Sequence, residues 1–525
     1  MEGHGRQIMD VDEAYLDERR ERSVGEPLCL PPTAAEPTTS INLAQTLFQP
    51  TEFDESLEEQ LAQSIGSIDR RQPCVSTEVP SVFAQDLSGH DEDKNFLILT
   101  SAGKPIYAMR DCEAVISYMG VIHTIMSYFK LKESTDLRCI DCGNRHRFAF
   151  LDREPIVLVA CSSRGETSNE LFNQLDFLHS YLLSSLSERQ LSRIFTKRQN
   201  FDLRHFLEAT DFENLDKICS LFCHRFYPGF LLGALRSLSL RRSYRLQLHE
   251  AMSQQLANET DLPRGTLLYG LIVAPDNKLC SVLRPRGHTL HTTDLHLLFT
   301  LIFHRFQKLD DSQELWVPIC FPKFNANGFL YCYIKFLPHG NSVLVLISAQ
   351  KDAFFSLKSF ADKLVKEITA KGLLVHIQNS RGFKISDIPA PLVHHFLYKS
   401  KKHVQYVMPE LVYATNQTDP DQLLEYEHKF MTYYQQIHNS VIRDDGTPFN
   451  KSCLNFVRWD ADAPEPTEEP IAMMGLGWIS PKFELYLICN NGVEDKHIVL
   501  ESAKKIVAWC RKHESRLFVN EGAIF

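Results

Sequence analysis

Asn95-Phe96-Leu97-Ile98-Leu99-Thr100-Ser101-Ala102-Gly103-Lys104-Pro105-Ile106-Tyr107-Ala108-Met109 is the stretch on which the fold turns. Apolar residues fill Phe96 to Leu99 and again Pro105 to Met109, with Ala102-Gly103-Lys104 between them, which predicts two antiparallel strands and a tight turn. Alternation along the second strand sets Pro105, Tyr107 and Met109 on one face and Ile106 and Ala108 on the other. From Glu113 to Phe129 the apolar spacing changes to that of an amphipathic helix.

The same figure returns twice. Leu267 to Val273, a turn at Pro275-Asp276-Asn277 and Leu279 to Leu283 lead to a helix capped by Thr292, Thr293 or Asp294 and running to Phe306. A weaker copy runs Phe396 to Lys399, Ser400-Lys401-Lys402, Val404 to Met408, then a helix from Gln422 to Ile437. Each copy continues with a second hairpin and helix: Phe148 to Phe150 and Ile156 to Ala160 before Ser168 to Leu186, Phe329 to Phe336 and Val343 to Ile347 before Asp352 to Ala370, Met473 to Ile479 and Glu484 to Cys489 before Asp495 to Lys512. Repeated strand, strand, helix, strands, helix predicts three α/β (α+β) domains, each an antiparallel sheet flanked by helices. The boundaries expected are a tail over 1–93, a first domain over 94–186, a helical connector over 187–258, a second domain over 259–388 and a third over 389–525.

The first helix carries more apolar surface than one sheet can cover. Val115, Met119, Ile122, Met126 and Phe129 form one stripe, and Ile116, Tyr118, Val121, Ile125 and Tyr128 form another. One stripe seats on the sheet; the second needs a partner surface or cover from elsewhere in the chain. With the helix over the Ile106 face, Tyr107 is left for a partner, the competing reading being that it belongs to the core.

Composition fits a folded body behind a polar tail. Residues 1–93 hold 20 acidic and 6 basic side chains against a whole-chain balance of −10, so the remainder is net positive by 4. The proline- and acid-rich tail is expected to be disordered, with local helix only around Ile41 to Phe48 and Phe53 to Ile65. Neither a secretory leader pattern nor an apolar run of about 18 to 20 residues occurs, which points to a cytoplasmic or peripheral protein. The 14 cysteines are scattered singly, as in a reducing compartment.

Enzymatic constellations are missing. There is no G-x-x-x-x-G-K-S/T phosphate loop, no G-x-S-x-G and no H-E-x-x-H, and Gly475-Leu476-Gly477 lies inside a strand pattern. Cys139-Ile140-Asp141-Cys142 with His146, and Cys219, Cys223 and His224, each have the spacing of half a zinc site, but core or loop cysteines are the simpler reading. No catalytic residue, metal or cofactor is therefore expected. Basic residues gather at Arg236, Arg241, Arg242 and Arg245, at Lys399, Lys401 and Lys402, and at Lys504, Lys505, Arg511 and Lys512. They are solvated faces or contacts to anionic lipid, with Arg241, Arg242, Lys504 and Lys505 the membrane candidates. Nucleic acid is not expected, since no base-stacking motif accompanies them.

Ser101-Ala102-Gly103-Lys104-Pro105-Ile106-Tyr107 followed by Met119-Gly120-Val121 resembles the first longin domain of the SAND/Mon family, the Mon subunits of Mon–Ccz complexes, a family unrelated to the DNA-binding domain of the same name. Arg153-Glu154-Pro155, Ser163-Arg164-Gly165-Glu166, Asn200-Phe201-Asp202-Leu203-Arg204 and Leu231-Leu232-Gly233-Ala234-Leu235-Arg236 extend the likeness, which runs from about residue 94 to the C-terminus. The sequence departs from the family at Cys139 to Arg145, and at Ser237 and Ser239 where Cys and Pro are expected. The resemblance implies three longin domains, a Ccz-type longin subunit as partner, and nucleotide exchange on the late-endosomal Rab GTPase. It also implies recruitment by the early-endosomal Rab GTPase and by phosphatidylinositol 3-phosphate membranes. Gly103, Lys104, Pro105, Tyr107, Val115, Ile116 and Met119 are the partner or GTPase candidates. A non-catalytic longin adaptor or tether is the alternative.

Overall fold

Backbone pairing, more than any local propensity, organises this chain, because one strand permutation is used three times. The structure, a computed structural model, describes residues 94–525 except 110–112, 134–135, 143–145, 199–200, 261, 306–313, 339–341, 381, 412–419, 462–470, 521 and 525. The tail over 1–93, with its two expected helical segments, lies outside the described residues.

The first sheet contains β1 (Lys94–Thr100), β2 (Pro105–Ala108), β3 (Cys139–Asp141), β4 (Arg147–Arg153) and β5 (Ile156–Ser162), in the order β2-β1-β5-β4-β3. The connector contributes the short strand β6 (Leu235–Arg236). The second sheet is built from β7 (Leu267–Ala274), β8 (Lys278–Arg284), β9 (Glu314–Phe321), β10 (Ala326–Phe336) and β11 (Val343–Ser348), and the third from β12 (Val393–Ser400), β13 (Gln405–Val407), β14 (Cys453–Ala461), β15 (Ile471–Ile479) and β16 (Phe483–Cys489). Their orders, β8-β7-β11-β10-β9 and β13-β12-β16-β15-β14, repeat that of the first sheet. The expected three α+β domains are therefore present.

Three strands of the repeated unit escaped the sequence reading, β3, β9 and β14, the outer strand of each second half, as did the short β6 of the connector. β3 has three residues and so carries no period to detect, and the segment around it reads as a cysteine-rich turn. Among the described residues β9 pairs with β10 alone and β14 with β15 alone.

Two sheets gain a sixth strand from far away. β6 runs parallel to β13 of the third domain, and the C-terminal strand β17 (Ala523–Ile524) runs parallel to β8 of the second. In both cases the borrowed strand lies along the second hairpin strand. The equivalent edge in the first domain, β2, has no such neighbour among the described residues.

Each face of the first sheet has its own cover. Leu97, Leu99, Val157 and Val159 pack with Met119 and Ile122 of the helix Glu113–Tyr128, which then widens into a π-helical turn over Phe129–Glu133. Phe96, Ile98, Leu158 and Ala160 face the opposite way, toward Leu171, Leu175, Leu178 and Leu182 of the helix Ser168–Ser185. That helix is capped by Thr167, whose side chain accepts from the Glu170 amide. It is apolar on more than one side because the core continues past it into Leu271, Val273, Val345 and Ile347 of the second sheet. The first and second domains thus share one core.

Local expectations were adjusted at three points. Leu99 pairs with Pro105 and Ile98 with Tyr107, so Ile106 is the extra residue of a bulge. Simple alternation therefore fails, and Ile106 joins Tyr107 in the shared core while Ala108 packs on the other side. The second domain's first helix, Thr292–Thr300, is capped by His291, whose ring accepts from the Thr293 amide at 3.2 Å. Asp294 is instead buried, and it accepts from the amides of Lys323 and Phe324 at 3.2 and 2.9 Å. Val404 is not in a strand: its φ of +50° places it in the turn before β13.

Candidate partner and membrane surfaces

The turn that opens the first domain is built on Gly103. Its amide donates to the Thr100 carbonyl at 2.8 Å, and the Thr100 amide donates to the Lys104 carbonyl at 2.8 Å. The Lys104 amide donates to the Thr100 hydroxyl at 3.0 Å. Gly103 has φ of +80°, and a Cβ there would stand 2.9 Å from Cγ of His123. His123, on the helix Glu113–Tyr128, lies with Nε2 3.0 Å from the Ser101 carbonyl, tying turn to helix. Glycine is thus required both by the left-handed backbone and by the close approach of the ring. Lys104 and Pro105 are half-buried beside it.

Two of the expected contact residues are core residues. Tyr107 is 5% exposed, and its phenol donates to Oδ1 of Asp216 at 2.7 Å on the connector helix Ala209–His224. Burial, with Cys219 and Asp216 nearby, pushes the phenol far above its ordinary pKa, so it stays protonated and donates. The expectation that Tyr107 is left uncovered fails because the connector folds back over that face. Met119 is 1% exposed, seated on the sheet with Ile122. Val115 and Ile116 lie on the helix, but their side chains fall outside the described residues.

Of the second stripe of the same helix, Val121 and Tyr128 are uncovered among the described residues and Ile125 is half-buried. Val121 is 56% and Tyr128 50% exposed, and Leu131 in the π-turn that follows is 85% exposed. On the sheet-facing side of the helix, next to Leu131, is a hollow of about 310 Å³ lined by Leu99, Met126, Leu131 and Val157 together with Lys130, Asp136, Asp152 and Glu154. Leu131 was not singled out in the sequence; its exposure follows from the π-turn, which resets the helical spacing, and no local signal announces that turn. The equivalent helix of the second domain also ends in a π-turn, Leu301–Arg305, but there Leu297, Leu298, Phe299, Leu301 and Ile302 are all buried.

The basic clusters are mostly used inside the molecule. Arg245 is 4% exposed and donates to the carbonyls of Cys280, Leu238 and Arg516 at 2.7, 2.7 and 3.1 Å, so it is a structural strut and not a surface charge. Lys399 and Lys401 converge on Glu484 at 3.2 and 3.6 Å. Lys504 pairs with Glu501 at 2.9 Å on the helix Lys496–Lys512. Arg241, Arg242 and Lys505 are exposed.

The cysteine pairs are separated by burial. Cys219 and Cys223 are buried in the shared core, the Cys219 thiol raised by desolvation, whereas Cys142 is exposed and Cys139 half-buried on β3. Among the described residues no group of three His, Cys, Asp or Glu side chains is arranged to hold a metal ion. No helix among them is long and apolar enough to cross a membrane.

One charged cluster is buried. Lys94 pairs with Glu166, which also accepts from Ser162 at 2.5 Å and Gln174 at 3.3 Å. Burial opposes charge on Glu166, but Lys94 outweighs it and holds the carboxyl below its usual range. Glu170 lies next in line and is pushed up to about 8, first by burial and then by Glu166. Its Oε1 accepts from Gln435 at 2.7 Å, linking the first domain to the helix Pro420–Val441 of the third.

Three small sheets of one permutation, each clasped by helices, with an apolar helix face exposed among the described residues, define a three-domain longin protein. Sequence comparison agrees: first, second and third longin domains of FUZ, MON1 and HPS1 match residues 94–218, 265–366 and 392–514. The vacuolar fusion protein MON1 of Saccharomyces cerevisiae is 52% identical over 93% of this chain and 83% of its own length. Those of Candida glabrata and Eremothecium gossypii are 44% and 42% identical over 90% and 94% of the chain, and over 83% and 92% of their own lengths. The chain belongs to the SAND/Mon family of three-longin-domain proteins.

Proposed function

We propose that this chain serves in membrane fusion at the vacuole or lysosome as one subunit of a guanine-nucleotide exchange factor, acting with a Ccz-type longin subunit on the late-endosomal Rab GTPase. The observation that carries the reading is the exposed set Val121, Tyr128 and Leu131 on the first helix and its π-turn. Exposed apolar patches of this kind mark protein contacts. The unextended edge of β2 lies in the same domain, where the other two domains have borrowed strands. An exchange factor needs no proton shuttle: it binds the nucleotide-free GTPase better than the loaded form, and differential affinity shifts the population. The names of the relatives, vacuolar fusion proteins, supply the cellular setting.

Recruitment follows from the early-endosomal Rab GTPase and from phosphatidylinositol 3-phosphate membranes, with Arg241, Arg242 and Lys505 as the exposed charges that meet the lipid. Lys504 contributes less, since Glu501 already engages it. The protein then works as a peripheral membrane component. The deciding experiment is release of a fluorescent guanine nucleotide from purified Rab proteins with the chain alone and with its co-purified partner. Acceleration confined to the late-endosomal Rab and to the pair is expected. Partner and Rab binding without acceleration would make the chain an adaptor or tether instead.

A further inference from the structure

Where the connector turns into the helix Arg242–Asn258 a hollow of about 220 Å³ opens, lined by Ser239, Arg241, Tyr244, His376, Asn379 and Arg516 among others. Its lining contains two arginines and no acidic residue. Arg241 and Arg516 are exposed, and neither guanidinium has an ion-pair partner among the described residues.

The hollow sits at the positive end of a long helix. Arg242–Asn258 has 17 residues, Arg241 is its N-cap, and no side chain caps its first turn. The leading amides are thus open to an outside acceptor. Ser239 provides an independent sign: the residue is 8% exposed and lines the hollow, yet its hydroxyl has no hydrogen-bond partner among the described residues. A buried hydroxyl left unpaired costs free energy that an incoming acceptor would recover. Serine at this position is also a departure from the residue expected by family resemblance.

The surrounding backbone is fixed. The Leu240 amide and the Arg245 guanidinium both donate to the Arg516 carbonyl, at 3.0 and 3.1 Å, and the Ser380 hydroxyl donates to the Ser239 carbonyl at 2.6 Å. His376 stacks on Tyr244 with ring centroids 3.8 Å apart, forming a flat wall. Two arginines, an unpaired hydroxyl and uncapped helix amides around a small opening match a tetrahedral dianion with several acceptor oxygens. The volume is below the roughly 300 Å³ at which pockets for larger ligands begin.

We propose that this hollow binds a single phosphomonoester group. The proposal deepens the membrane half of the proposed function and rests on it only where the phosphate is a lipid headgroup; free phosphate tests the hollow by itself. Calorimetric titration of the full chain with inorganic phosphate should give saturable binding, weakened at least tenfold by Arg241→Gln with Arg516→Gln and several-fold by Ser239→Ala. Arg189→Gln, an exposed charge that does not line the hollow, should leave it unchanged. The substituted groups make no internal hydrogen bond, so melting temperature should hold, and a melting curve of each variant checks this. Absence of saturable binding to the unaltered chain, or binding indifferent to the double arginine change in folded protein, overturns the proposal. Cosedimentation with phosphatidylcholine vesicles containing or lacking phosphatidylinositol monophosphate identifies the source. Loss in the double variant assigns a lipid headgroup, and vesicle binding retained while phosphate binding is lost assigns a soluble phosphate. Vesicle binding by a chain that takes no phosphate would leave the membrane reading standing and the hollow refuted.

Discussion

The phenol of Tyr107 reaches 109 residues along the chain to donate to Asp216 at 2.7 Å, pinning the connector helix onto the opening hairpin. Asp216 is exposed, so water can replace the phenol there. Tyr107→Phe should cost about 1 kcal/mol, a single hydrogen bond. Tyr107→Ala removes a buried ring and should cost about 3 to 5 kcal/mol. Chemical denaturation checks both. Loss of partner assembly in a Tyr107→Ala protein of undiminished stability would instead restore the contact role.

Val121 and Tyr128 point away from the sheet on which Met119 and Ile122 are seated. Val121→Glu and Tyr128→Glu should change stability by no more than about 0.5 kcal/mol, as surface substitutions do. Assembly with the partner subunit, or nucleotide exchange, should fall more than tenfold, about 1.4 kcal/mol. Met119→Asp should unfold the first domain. Full assembly by both folded glutamate variants removes this stripe from the interface.

Gly103 and His123 make a pair that mutation can separate. Gly103→Ala meets both a φ of +80° and the imidazole at 2.9 Å, and should cost about 1 to 3 kcal/mol. His123→Ala removes the steric part alone, so the double variant should recover some, but not all, of the loss. Full recovery in urea melts would mean that the left-handed backbone contributes nothing.

Glu170 sets a pH dependence whose sign can be worked out. Its folded carboxyl titrates at about 8, above the roughly 4.3 of an unfolded glutamate. Between those values the folded state holds a proton that the unfolded state has released, so this residue makes stability fall as pH rises through the window. Glu170→Gln keeps an oxygen for Gln435 and should flatten that fall, with the gain reaching its full size only above about pH 8. A variant whose stability profile over pH 5 to 9 parallels the parent's would show that Glu170 does not titrate in this way.

What the sequence determined by itself was the repeating unit: hairpin, helix, hairpin, helix, three times. The short apolar runs Phe96–Leu99 and Ile156–Ala160 and the helical stripes of Glu113–Tyr128 are local, and a hydrophobic pattern needs no knowledge of what covers it. The surplus stripe with Val121 and Tyr128 was legible for the same reason. Which apolar residues become surface was decided by tertiary structure alone. The burial of Tyr107 depends on Asp216 and Cys219 of a helix a hundred residues away. The bulge at Ile106 is a matter of register between β1 and β2, and the short strand β3 exists only through its pairing with β4. The basic segments look alike in sequence, but Arg245 is a buried strut while Arg241, four residues earlier, stands exposed at a helix N-terminus beside Arg516. That division is fixed by how the connector, second domain and third domain meet, a long-range packing result that no window of sequence contains.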